Sequence, residues 1–129
     1  MAKRFEIRNS TAEFLIFQIE GKEDGVQVVY RDESIWCTQK AMAQLFDVGV
    51  PAISKHLKNI FSEGELQPEA TVSKMEIVQF EGDREIKRQL DFYNLDAIIS
   101  VGYRVNSTRA TQFRQWCTFV LRQFAIRGY

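Results

Sequence analysis

The sequence is poor in the residues from which covalent frameworks and active centres are usually built: two cysteines, two prolines and one histidine among 129 residues. Cys37 and Cys117 lie far apart within apolar segments, which predicts buried reduced thiols rather than a disulfide. A lone histidine and two distant cysteines make no metal cluster, so neither a metal nor a cofactor is expected. Glycine-rich phosphate loops and nucleophile elbows are lacking as well. Asp91 and Asp96 need no special role, and no catalytic residue is assigned. The chain therefore reads as a non-enzyme. Nowhere does it reach the run of about 18 apolar residues that a membrane span needs, and its start, Met1-Ala2-Lys3-Arg4-Phe5-Glu6, lacks the apolar stretch of a secretory signal. No membrane partner is expected, and a cytoplasmic setting follows.

What is present suffices for one core. Hydrophobic residues make up 45% of the chain and charged residues 26%, the balance of an ordinary globular domain, so residues 1–129 are read as a single unit. The formal net charge of zero hides a division into blocks. Residues 36–61 carry Lys40, Lys55 and Lys58 against Asp47 alone, and residues 62–96 carry a net −5. Residues 97–129 hold Arg104, Arg109, Arg114, Arg122 and Arg127 with no acid. Such polarity lets one face meet phosphate while another is repelled from it.

Along the chain, residues 13–19 and 26–31 are β-branched and aromatic and read as a hairpin, followed by an extended piece at 34–37. Thr38 is a good N-cap for a helix carrying Met42, Leu45 and Phe46 on one face. After Asp47, Val48 and Gly49 the pattern restarts with Pro51 in a first helical turn and runs to about Phe61, with Ile53, Leu57, Ile60 and Phe61 as its buried stripe. Pro68 reinforces a loop. Two alternating runs, 72–80 and 85–93, flank a tight turn at 81–84; the first run loses phase, which predicts a bulge or a register shift. Asn94 caps a short helix that stops near Gly102. A longer helix begins after Asn106 or Ser107, with Ala110, Phe113, Trp116, Cys117, Val120, Leu121 and Phe124 recurring at steps of three and four until Gly128. The expected fold is α+β: a helix-turn-helix, winged-helix-like, with β-hairpins and a long C-terminal helix.

The helix-turn-helix at 38–61 carries the functional reading. Small Ala43 lets the second helix approach the first, Val48 plugs the turn, and Ile53 and Leu57 lock the second helix from below. Pro51, Ser54, Lys55 and Lys58 then point outward together, offering a hydroxyl and two ammonium groups to a major groove, with Val50 adding apolar contact. Thr38 and Gln39 are placed to position the phosphate backbone. His56 falls nearer the packed side and reads as a partly buried histidine.

Arg84, Lys87 and Arg88 sit at or beyond the 81–84 turn, where a wing would touch the flanking backbone; Glu81 and Glu85 dilute them. Arg109, Arg114 and Arg122 flank the stripe of the last helix as a second phosphate surface, a subunit contact or solubilising charge. Phe119 points off that stripe and marks a second interface, which a homodimer would use. The predicted partner is double-stranded DNA. The rival is a protein-interaction module of antirepressor type, or an accessory domain of a longer enzyme.

Three segments carry a family resemblance: Ile35-Trp36-Cys37-Thr38-Gln39-Lys40; Ile53-Ser54-Lys55-His56-Leu57-Lys58-Asn59-Ile60-Phe61; and residues 92–107, from Phe92-Tyr93-Asn94-Leu95 to Val105-Asn106-Ser107. Through them nearly the whole chain resembles the virulence-associated RhuM family of bacterial proteins. Thr111-Gln112-Phe113-Arg114-Gln115-Trp116 also looks like the Phe-Arg-x-Trp helix of phage antirepressor and Bro-type N-terminal domains. The resemblance implies a DNA-binding-like module of phage or mobile-element ancestry, a transcriptional regulator or defence-associated factor, standing as the N-terminal domain of a longer protein. Asp47 departs from the glycine usual at its turn position, which predicts a slightly altered turn.

Overall fold

Two hairpins and five helices share one core in the computed structural model, which describes residues 28–32 and 34–126. Strands β1 (Val28–Arg31) and β2 (Ser34–Cys37) form the first hairpin, and Thr38 then turns the chain into helix α1 (Gln39–Phe46). Helix α2 (Val50–Ser62) and the one-turn α3 (Pro68–Thr71) follow. Next come β3 (Val72–Glu81), β4 (Arg84–Tyr93), α4 (Leu95–Arg104) and α5 (Thr108–Ile126). The strands make an antiparallel sheet in the order β1-β2-β4-β3.

Two of the helix starts and two of the helix ends have local causes. The Thr38 hydroxyl accepts from the Ala41 amide at 3.1 Å and the Asn94 carboxamide from the Ala97 amide at 3.2 Å, satisfying donors that a helix start leaves unpaired. Helix α1 ends at Asp47, whose φ of 56° and ψ of 51° are left-handed, and the Val48 amide returns to the Ala43 carbonyl at 3.0 Å. The turn keeps the shape a glycine would give it, so the expected alteration is absent. Asp47 takes up the strained conformation itself. Gly64, at φ 77°, ends α2 by the same device, with the Glu65 amide bonded to the Ile60 carbonyl at 3.0 Å.

The core lies where α1, α2, α4 and α5 meet, closed by Ile35, Cys37 and Tyr93 from the sheet. Phe46 meets Phe113 edge to face at 5.2 Å between ring centroids, a favourable arrangement of aromatic quadrupoles. Ala110, Phe113, Cys117 and Val120 are buried as their spacing predicts, and Trp116 packs half-buried at the margin. Both thiols are buried and unbridged, and burial pushes Cys37 up to about 12 and Cys117 up to about 11, which disfavours the thiolate at neutral pH.

Several expectations are corrected. Gly102 does not stop α4, which runs on to Arg104. A methyl group there would stand 2.7 Å from Phe113 Cδ2 and 3.1 Å from Phe46 Cζ, so the glycine serves close helix packing. Pro68 opens a helical turn instead of bracing a loop. The second hairpin holds one unbroken register from Val72↔Tyr93 to Glu81↔Arg84, without the bulge or shift that the mixed alternation predicted. Met75, Ile77, Ile86 and Leu90 share a half-buried face while Val78 and Phe80 stand on the exposed one, so apolar residues fall on both faces and the sequence shows no strict alternation. The described part of the 26–31 segment, β1, pairs with β2, and its expected pairing with 13–19 falls outside the described residues. Residues 13–19 and the helix end at Gly128 lie outside the described residues.

Candidate nucleic-acid interface

Helix α2 has two unlike sides. Ile53, Leu57 and Ile60 are buried against α1 and α4, whereas Pro51, Lys55, Lys58 and Ser62 are exposed at steps of four, three and four, a single stripe down the opposite side. Pro51, Lys55 and Lys58 were foreseen from the pattern. Ser54 turns further inward and is half-buried. Ser62 was missed, although continuing the spacing from Lys58 by four residues finds it; its hydroxyl bonds the Asn59 carbonyl at 3.2 Å. Val50 is 41% exposed at the helix start, beside the turn made by Asp47, Val48 and Gly49. The Gly49 cap brings no side chain, and the first turn holds no acid.

Thr38 and Gln39 have partners within the chain. Thr38 is buried and spends its oxygen on capping α1, and the Gln39 amide Nε2 donates to the Tyr93 hydroxyl at 2.9 Å. Thr38 thus closes the start of α1 and Gln39 fastens it to β4. Lys40 beside them is exposed.

At the far end of α2, Arg104 of α4 donates to Glu63 and to Glu65 at 2.7 Å each. Both carboxyls are thereby held below their usual range. His56 is half-buried, and its pKa is lowered by burial and by the nearby charges of Arg104 and Lys55, so the ring is neutral at pH 7. An arginine of the acid-free C-terminal block thus stands near α2, but two glutamates balance it.

The hairpin separates the three wing cations. Strand alternation puts Arg84 and Arg88 on one face and Lys87 on the other, and Glu81 holds Arg88 at 3.2 Å. Arg114 is likewise engaged: its Nη1 donates to the Gly102 and Val105 carbonyls at 2.8 and 2.9 Å, closing the end of α4. Its spacing on α5 gave no signal of that task, because the acceptors belong to another helix. Phe119 is 58% exposed and, with Thr111, Gln115, Thr118 and Arg122, lines a shallow groove of about 330 Å³. No three His, Cys, Asp or Glu side chains are placed to hold a metal among the described residues, and no helix there is long and apolar enough to cross a membrane.

Together these features define a small α+β protein that presents one cationic helix face beside a short turn. Residues 70–129 of this chain match the family described as Virulence protein RhuM family. The matched part takes in the second hairpin, α4 and α5, hence the 92–107 motif; the motifs at 35–40 and 53–61 lie before it. The resemblance is thus borne out over the second half of the chain, not along nearly all of it, and the match does not extend to the Bro-type likeness of α5. No curated protein and no solved structure matched the chain significantly.

Proposed function

We propose that this chain is a RhuM-type protein that binds double-stranded DNA, working by recognition rather than catalysis, with α1 and α2 as a helix-turn-helix. The observation that carries the reading is the exposed stripe of Pro51, Lys55, Lys58 and Ser62 on α2, opposite its buried side. A helix so anchored enters a major groove with its stripe toward the bases and phosphates. Lys55 and Lys58 supply charge, Ser54 and Ser62 hydroxyl groups, and Val50 and Pro51 apolar contact of the kind a thymine methyl accepts. Lys40, at the start of α1, takes the positioning role in place of the side chains of Thr38 and Gln39. Arg84 is the wing cation best placed for flanking backbone, being at the hairpin tip. A transcriptional or mobile-element role follows from such binding.

The test is titration of duplex DNA at several salt concentrations. Wild type binds with an affinity that falls as salt rises, and Lys55→Glu/Lys58→Glu weakens binding at least tenfold and flattens the slope by about two charges. Undiminished binding by a folded double variant removes α2 as the reading helix. A second reading, a protein-interaction module of antirepressor type, is favoured by the exposed Phe119 on α5 and by Glu63 and Glu65 at the end of α2. It predicts no duplex binding by the wild type.

A further inference from the structure

The second hairpin is an arm. It meets the rest of the sheet at its base, through Cys37↔Tyr93, and ten residue pairs carry it out to Gly82 and Asp83. Two-stranded hairpins are marginal in water on their own. This one also shows apolar side chains at the surface: Phe80 is 72% exposed and Val78 49%. Its outer strand, β3, is the edge of the described sheet, so half its backbone amides and carbonyls face away from β4.

We propose that β3 is a self-association edge, pairing antiparallel with β3 of a second copy so that the two sheets become continuous across a two-fold axis. The charges choose the occupant and the register. In a two-fold antiparallel pair, residues on the same face of the two strands oppose each other. With Met75 on the axis, Lys74 of each copy lies opposite Glu76 of the other, two complementary pairs made by symmetry. One step to either side sets Lys74 against Lys74 or Glu76 against Glu76, and both are repulsive. The same register lays Val78 of one copy across from Val72 of the other, a residue already packed against the core, and carries Phe80 beyond it toward α3. The exposed end of each arm is then covered by the body of its partner. Lys74 also binds Asp91 within its own hairpin at 3.0 Å, which fixes the ammonium on this face. The proposal does not depend on the DNA reading, since the pairing needs no nucleic acid.

Sedimentation of the intact chain, without DNA, tests it. Wild type is expected to be a dimer at about 100 µM, and Lys74→Glu and Glu76→Lys, each shown to be folded by circular dichroism, are expected to self-associate at least about tenfold more weakly. Each variant alone sets like charges against each other across the axis. Mixing the two sets opposite charges against each other at both places, and only in the mixed dimer; recovery of a dimer from equal amounts of the two supports the register. A monomeric wild type overturns the proposal. So does a dimer that neither substitution weakens, which places the interface elsewhere, for instance at Phe119. Two weakened variants that fail to recover on mixing overturn the register and the edge pairing with it.

Discussion

Gly102 shows how one residue can be read correctly as special and wrongly as to why. Glycine near the end of a helical pattern ordinarily marks a stop. Here its missing side chain makes room for Phe113 and Phe46, aromatic rings that come from other helices, and so its reason is invisible to local pattern. Gly102→Ala is therefore expected to destabilise the protein by about 1–3 kcal/mol through overpacking, despite alanine's better helix propensity, as read by a lower denaturant midpoint. Unchanged or raised stability would mean that the rings have room to move. His56 gives a pH dependence of determined sign. Its folded pKa is below the usual 6.5, so below about that pH the unfolded chain binds the proton more readily and folding stability falls. His56→Gln should remove this contribution, leaving a shallower loss between about pH 7.5 and 5.5 in the variant than in wild type. Glu63 and Glu65, with lowered values, add their own loss only at more acid pH.

Among elements, the two helices around the 47–49 turn were legible almost residue by residue. Their start signal, small crossing residue and apolar stripes are all local, and each finds its place: Ala43 and Ile53 buried, Val48 packed at the core margin. The second hairpin was legible in position but not in regularity, because Val78 and Phe80 put apolar side chains on its exposed face as well as on its half-buried one. Arg114 was legible only as a charge; the carbonyls it closes are fixed by how α4 meets α5. The turn itself supplies a test. Asp47 holds a left-handed backbone that glycine adopts without penalty, so Asp47→Gly should be more stable than Asp47→Ala by about 1 kcal/mol, compared by thermal melting. Equal stability would deny that the conformation persists in solution. On the proposed DNA-binding reading, affinity should survive Asp47→Gly, since the turn shape is already the one glycine favours and an acid beside the candidate interface is removed.

For the whole molecule, neutrality and polarity coexist. Opposed blocks let the cationic side of α2 lie apart from the acidic stretch that follows, and Arg104 joins the two by tying α4 to the end of α2 through Glu63 and Glu65. The candidate interface and the RhuM-like half are also tied at the end of α1. The Ser107 hydroxyl donates to the Phe46 carbonyl at 2.6 Å and accepts from the Ala110 amide at 3.0 Å, so one side chain finishes α1 and begins α5. A fragment restricted to residues 70–129 would lack Met42, Leu45, Phe46, Ile53, Leu57 and Ile60, and is expected to show no cooperative melting transition. A cooperative transition in that fragment would make it an independent folding unit. The residue at which the family match begins is thus not a seam in the fold: Ser107 rivets across it, and a change in the shape of Phe46 on one side must be met by Phe113 on the other for the two rings to keep fitting one another.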